Sequence, residues 1–458
     1  MYKRYQKPVI TASPDIKVPE PRISKFILFI VNILCRPYIS FLFGFAKIVL
    51  KGDDILFDAF KRALAKESRC IIAFRHPDGR EPQLLGWFFL FKLKALAARK
   101  GVKFARNPHA IFVYGYEVAR WGGPVARFFM PNIGAIPIHH TKMDSKGMKR
   151  IYKAVTDGPY PLSLAPEGQV SYSTDTIPRL ETGVIRIAFQ AAQQLSQIPE
   201  EKEKNCDVEI LPVSIHFRYD SFGKAAMNRL LKKIEKTCGF SREAKKINFQ
   251  ERLKRCRDYI LEKNEIRYNI KKDDLLSFEQ RLDNVTNSAL EAAERMLGIK
   301  AEGDFFARLY KVRHDCWDRI FIPGINNFDS ITEIERNIMD LSAGEAWHIA
   351  RHQELADFSW YFRRPVPAEE TALHLKVEYV QNLWDFASRT MGGAFKDRIN
   401  IQPRKVIIQT ASPVNISNRL SNYKENKKSA VNDLVLELEK AYLNCIKKVN
   451  TGETERNY

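Results

Sequence analysis

Residues 71–86 read IIAFRHPDGREPQLLG. The apolar run 71–74 has the composition of a buried strand, and His76 lies just past its end, before a Pro-Asp-Gly turn. Glu81 closes that turn five positions after the histidine. A histidine at a strand end beside a carboxylate can serve as a general base, because the acid fixes one tautomer and stabilises the imidazolium. Further on, Leu164-Ala165-Pro166-Glu167-Gly168 repeats the plan, with an apolar run ending in a Glu-Gly turn.

Outward from this stretch, helix and strand patterns alternate. Helical periodicity covers 55–65, 82–98, 143–156 and 183–194, and strand-like runs cover 70–74, 110–114, 133–138, 161–164 and 208–217. The alternation predicts an α/β domain over 53–225 with a mostly parallel sheet flanked by helices. From about 226 the chain is rich in Lys, Glu, Arg and Leu and reads as helical to 298, with further helical patterns at 305–319, 331–341 and 345–361. A strand pattern returns only at 405–410, KVIIQT, followed by an amphipathic helix at 430–449. One strand and one helix after so long a helical stretch predict a large helical insertion, 226–400, with 401–449 completing the first domain. A separate C-terminal domain is the alternative, and 450–458 is a tail.

The start of the chain differs again. Residues 1–22 are basic and Pro-containing, and a flexible tail is expected. In 23–52 two apolar halves flank Arg36-Pro37. A spanning helix needs roughly 20 uninterrupted apolar residues, so the expectation is two short interfacial helices anchored by Lys25, Arg36, Lys47 and Lys51, with a pair of core helices as the alternative. No small-residue cleavage site follows, so no signal peptide is expected.

Composition narrows the class. A chain of 458 residues that is 45% hydrophobic and 11% aromatic is globular rather than disordered. The 74 Lys+Arg against 54 Asp+Glu give a net charge of +20, which suits an anionic membrane surface or nucleic acid. Seven scattered cysteines without a CxxC pair point to reduced thiols rather than a disulfide framework or a zinc site.

His76-Pro77-Asp78-Gly79-Arg80-Glu81 resembles the His-(four residues)-Asp block of the glycerolipid acyltransferase family, with Glu in place of Asp. The resemblance continues in order. Ala165-Pro166-Glu167-Gly168-Gln169-Val170-Ser171 is similar to the family's third block, Thr182 to Ala188 to its continuation, and Ile210-Leu211-Pro212-Val213 to its fourth. Gly134 to His140 meets the second block in part. Coverage is 53–220 and about 401–449. The resemblance implies a glycerol-3-phosphate acyltransferase-like fold and acyl transfer from acyl-CoA or an acyl carrier protein to a lipid hydroxyl, as in phospholipid or glycerolipid synthesis. No metal or organic cofactor is implied. His76 would be the base and Glu81 its partner, while Glu167 and Gly168 would position the acceptor, with Arg80, His140 and Arg186 nearby. Where the family places arginines for the acceptor phosphate, this chain has His140 and Val170, and a phosphate prefers an arginine fork. Arg75, Arg80, Lys142, Arg179 and Arg186 are candidate substitutes.

The expected function is therefore a peripheral or monotopic acyltransferase on the cytoplasmic face of a membrane, with an acceptor such as 1-acylglycerol-3-phosphate. The alternatives are a non-phosphate lipid acceptor, or a catalytically weak lipid-binding scaffold of the same fold. No nucleic-acid partner is expected. His348 and His352 have the spacing of a zinc pair, but Ile349 stands where a metalloprotease has Glu, so they are expected to be core or interface histidines. Ser163, Ser171 and Ser173 lack a Gly-x-Ser-x-Gly elbow.

Overall fold

The computed structural model describes residues 10–37, 44–139, 144–197, 206–240 and 247–452. The chain divides into two compact units: an α/β unit, 18–220 with 402–458, and a helical unit, 1–17 with 221–401. Both crossings fall where the sequence pattern switches.

One sheet organises the α/β unit. Its strands are β1 Phe45–Lys51, β2 Ser68–Phe74, β3 Ile111–Gly115, β4 Ile136–Ile138, β5 Leu162–Leu164, β6 Asp207–Arg218, β7 Arg404–Thr410 and β8 Val414–Asn415. The order is β1-β7-β6-β2-β5-β3-β4, and β8 continues beyond β7 along β6. The strands from β6 to β4 are parallel; β1 and β7 run parallel to each other and opposite to the rest. The sheet is thus mixed but mostly parallel. Alternation along β2 feeds two cores. Cys70, Ile72 and Phe74 pack with the helices Asp53–Leu64 and Glu81–Trp87. Ile71 and Ala73 pack with the helices Ser145–Thr156, Gly183–Leu195 and Lys427–Asn450.

Two sequence expectations change. Among the described residues of 23–52, Lys25–Pro37 is helix and Phe45–Lys51 is β1, while 38–43, where much of the second expected helix falls, lie outside the described residues. Ile48-Val49-Leu50 pairs in register with Val406-Ile407-Ile408, so strand-compatible residues find a ladder there that an isolated helix would lack. Residues 10–17, expected within a flexible tail, belong to the helical unit: Ser13–Pro14 pairs with Phe321–Ile322, and the Ala12 N–H donates to Asp340 at 2.8 Å. Before β4, two helices, Tyr116–Trp121 and Gly123–Asn132, occupy a stretch whose periodicity two glycines and a proline interrupt.

The helical unit is written in a repeat. Asn248, Ser277, Asp304 and Thr332 each cap a helix by accepting the N–H three residues on. The first three caps are followed by Phe, and by Arg-Leu at the fourth and fifth helical positions: Arg252-Leu253, Arg281-Leu282 and Arg308-Leu309. Each of these arginines forks onto a glutamate of the preceding helix, Glu235, Glu265 or Glu294, at 2.5–2.8 Å. Each glutamate lies four residues before a left-handed Gly239, Asn269 or Gly298 that ends its helix. Cap-to-cap spacings of 29, 27 and 28 residues therefore mark one helix-and-turn unit used in tandem.

Candidate active site

The turn after β2 is built to hold one imidazole. Arg75 still follows the strand, its N–H on the Val213 carbonyl at 2.9 Å, and His76 is the next residue. Gly79 sits at φ 99°, which strains any side chain, and a Cβ there would meet the Val170 methyl at 3.4 Å. The chain then enters a helix at Glu81, with Pro82 in the first turn. Glu81 folds back over the turn. One oxygen accepts the Asp78 N–H at 2.8 Å; the other accepts the Gly79 N–H at 2.9 Å and lies 2.7 Å from His76 Nδ1. The Glu81 side chain is fully buried. An ionised carboxylate only accepts, so Nδ1 carries the hydrogen and Nε2 is the basic nitrogen. Nε2 has no protein partner among the described residues, and the ring is 17% exposed.

Burial alone would lower the His76 pKa. The Glu81 hydrogen bond, reinforced by the charges of Glu81, Glu167 and Asp78, outweighs it and raises the imidazole above its ordinary value. The ring is thus tuned as a proton acceptor.

Glu167 plays a different part from the one the resemblance implies. Its carboxylate is fully buried; one oxygen takes the Arg75 guanidinium, and the other accepts the His76 N–H at 3.2 Å. The His76 carbonyl in turn accepts the Ser171 N–H at 2.9 Å. Arg75 also donates to the carbonyls of Ser173, Thr174 and Thr176 at 2.8–3.1 Å. With both oxygens engaged, Glu167 holds the backbone of the base and is closed to an acceptor. Gly168, at φ 73°, shapes the turn that delivers it.

Arg80 lies in the turn, a quarter exposed, with Nε 3.7 Å from Asp78 Oδ1. Arg186 is exposed on the first turn of its helix and bonds to Thr182 Oγ1 at 3.1 Å, with no contact to the His76 turn among the described residues. His140 and Lys142 fall outside the described residues. Arg75 is wholly buried and committed to Glu167 and the carbonyls, so it is no substitute for a phosphate-binding arginine.

One site residue escapes sequence reasoning. Arg404, at the head of β7, forks onto Asp78 at 2.8 and 3.0 Å and lies over the rings of Phe45 and Phe217. Burial opposes its charge, but Asp78 more than restores it and the guanidinium pKa is raised. Asp78 was visible inside the turn; its partner, 326 residues away, carried no local signal.

Two other groups have less to offer. Ser214 Oγ lies 2.8 Å from His216 Nε2, whose Nδ1 is 3.4 Å from Asp175 Oδ1, the outline of a nucleophilic triad. Ser214 and His216 are wholly buried, so no substrate reaches them, and burial holds His216 neutral at a pKa of about 4. His352 is occupied by the Tyr268 hydroxyl at 2.8 Å, and no group of three metal-ligating side chains occurs among the described residues.

Comparison of the sequence with models of protein families and with curated proteins finds no match. The turn presents a positioned base with one open nitrogen and a buried acid behind it, and it contains no hydroxyl or thiol. Such an arrangement has the chemistry to take a proton from a hydroxyl or water placed at Nε2.

Proposed function

We propose that the chain is an O-acyltransferase that moves a fatty acyl group from acyl-CoA or an acyl carrier protein to the hydroxyl of a glycerolipid-type acceptor such as 1-acylglycerol-3-phosphate. The fold would be glycerol-3-phosphate acyltransferase-like, acting peripherally at the cytoplasmic face of a membrane. The observation that carries this reading is His76 Nδ1 held at 2.7 Å by the buried Glu81, with Nε2 open. Nε2 takes the acceptor's proton as its oxygen forms a bond to the thioester carbonyl. The C–S bond then breaks, and the imidazolium returns the proton to the departing thiolate. Glu81 keeps the ring in register and offsets its positive charge. A thioester is already activated, so this chain's residues supply orientation and proton transfer.

Val170 bordering Gly79 favours a second reading of the acceptor. A methyl group at the rim of the turn offers a phosphate nothing, so a lipid alcohol without phosphate is the alternative. A screen of lipid acceptors with a labelled acyl-thioester, read by mass spectrometry, tests both. Acylation that depends on His76 supports the proposal. Thioester consumption by no acceptor leaves a lipid-binding scaffold.

A further inference from the structure

Two helices from distant parts of the α/β unit leave apolar faces uncovered beside each other. In Lys25–Pro37, Ile27 and Leu28 are buried, whereas Phe26, Phe29, Ile33 and Leu34 are each more than half exposed. In Gly123–Asn132, Val125 and Phe128 are more than half exposed, and Trp121 just before it is exposed by about half. The two are pinned end to start. The Arg22 and Ser24 N–H groups donate to the carbonyls of Pro131 and Asn132 at 2.8 and 2.9 Å, Arg22 Nε reaches Asn132 Oδ1 at 2.8 Å, and Ile23 bridges to Ile133. Phe26 and Phe128 therefore each lie about one turn from a shared junction.

The sequence segments that contain these helices are basic. Residues 21–52 hold five Lys/Arg and no acid; residues 82–143 hold nine, with Glu117 as the single acid. The α/β unit carries 39 Lys+Arg against 25 Asp+Glu, while the helical unit carries 35 against 29. Two such basic segments would repel each other in a self-dimer. An anionic lipid surface satisfies both the apolar face and its charge. No helix among the described residues is long and apolar enough to cross a membrane. Lys25–Pro37 also packs on the helix that begins with Glu81.

We propose that the exposed faces of Lys25–Pro37 and Gly123–Asn132 form a single docking surface for an anionic lipid membrane. The second helix is as necessary to it as the first. The inference stands apart from the acyl-transfer chemistry, because its readout is binding.

Flotation of the full chain with vesicles of phosphatidylcholine, alone or with phosphatidylglycerol, is the test. The wild type floats with the anionic vesicles, and added salt weakens the association. Val125→Glu with Phe128→Glu lowers the affinity by at least about tenfold, and Phe29→Glu with Ile33→Glu does the same, each with an unchanged thermal melt. The surface positions keep the fold out of question. If the Val125/Phe128 variant floats like wild type, the two-helix surface is wrong. Equal flotation with neutral vesicles overturns the choice of an anionic membrane. A vesicle-free dimer that the Val125/Phe128 variant dissolves would assign the face to a second copy and likewise overturn it.

Discussion

His76 is the residue on which the proposed chemistry turns, and its neighbours make separable predictions. Because Glu81, Glu167 and Asp78 raise the imidazole above its ordinary value, the base is neutral only above that raised pKa. The acid limb of the kcat/KM profile should therefore lie above about 6.5, the unperturbed histidine value. Glu81→Gln keeps a hydrogen-bond acceptor for Nδ1 but removes the charge, so that limb should move to lower pH while kcat falls. An NMR titration of the His76 ring reads the same shift without substrate, and an unmoved pKa would contradict the pairing. Glu167→Gln separates two roles. It leaves the buried Arg75 charge uncompensated, a loss of about 3–5 kcal/mol by denaturant unfolding, whereas an acceptor-binding Glu167 would raise KM at unchanged stability. Arg404→Met should destabilise by a similar amount, and Asp78→Leu added to it should restore much of the loss, since replacing both members of a buried pair costs far less than removing one.

Among the elements, the strands were easier to read than their surroundings. β2, β5, β6 and β7 each carry a largely apolar run, Cys70–Phe74, Leu162–Leu164, Ile210–Ile215 and Val406–Ile408, so pattern alone finds them. The His76-to-Glu81 pair was legible because the turn is local, and the six residues from His76 to Glu81 carry that contact. Glu167 was misassigned because sequence shows that an acid follows a strand, not which way it faces; only the buried Arg75 reveals that. β1 was hidden inside an apolar run that reads equally as helix, and its partner β7 lies more than 350 residues downstream. The helical repeat was in plain view as Phe-x-x-Arg-Leu at 249, 278 and 305, yet it emerges only when the Arg–Glu forks align it. Leu253, Leu282 and Leu309 are wholly buried at equivalent places. Leu282→Ala should accordingly cost about 2–5 kcal/mol by chemical denaturation. A near-neutral result would show that the repeated leucine is not a packing position.

In the whole molecule, the basic excess and the base lie in the same unit. The α/β unit carries the larger charge imbalance, the apolar faces of Lys25–Pro37 and Gly123–Asn132 and the His76 turn, while the helical unit has the smaller basic excess and is tied by its own Arg–Glu forks. A protein made for nucleic acid would prefer a duplex over anionic vesicles at equal salt; this one should show the reverse preference in parallel binding titrations. Proton abstraction by His76 during the proposed acyl transfer ties the α/β unit's parts together. Its most direct test is the rate at which full-length protein moves a labelled acyl chain from a thioester to a vesicle-borne lipid alcohol, compared with His76→Ala. The wild type should transfer measurably and the variant should lose about 10²–10⁴-fold in rate, with folding and vesicle binding intact. Transfer at equal rates by both proteins would contradict it.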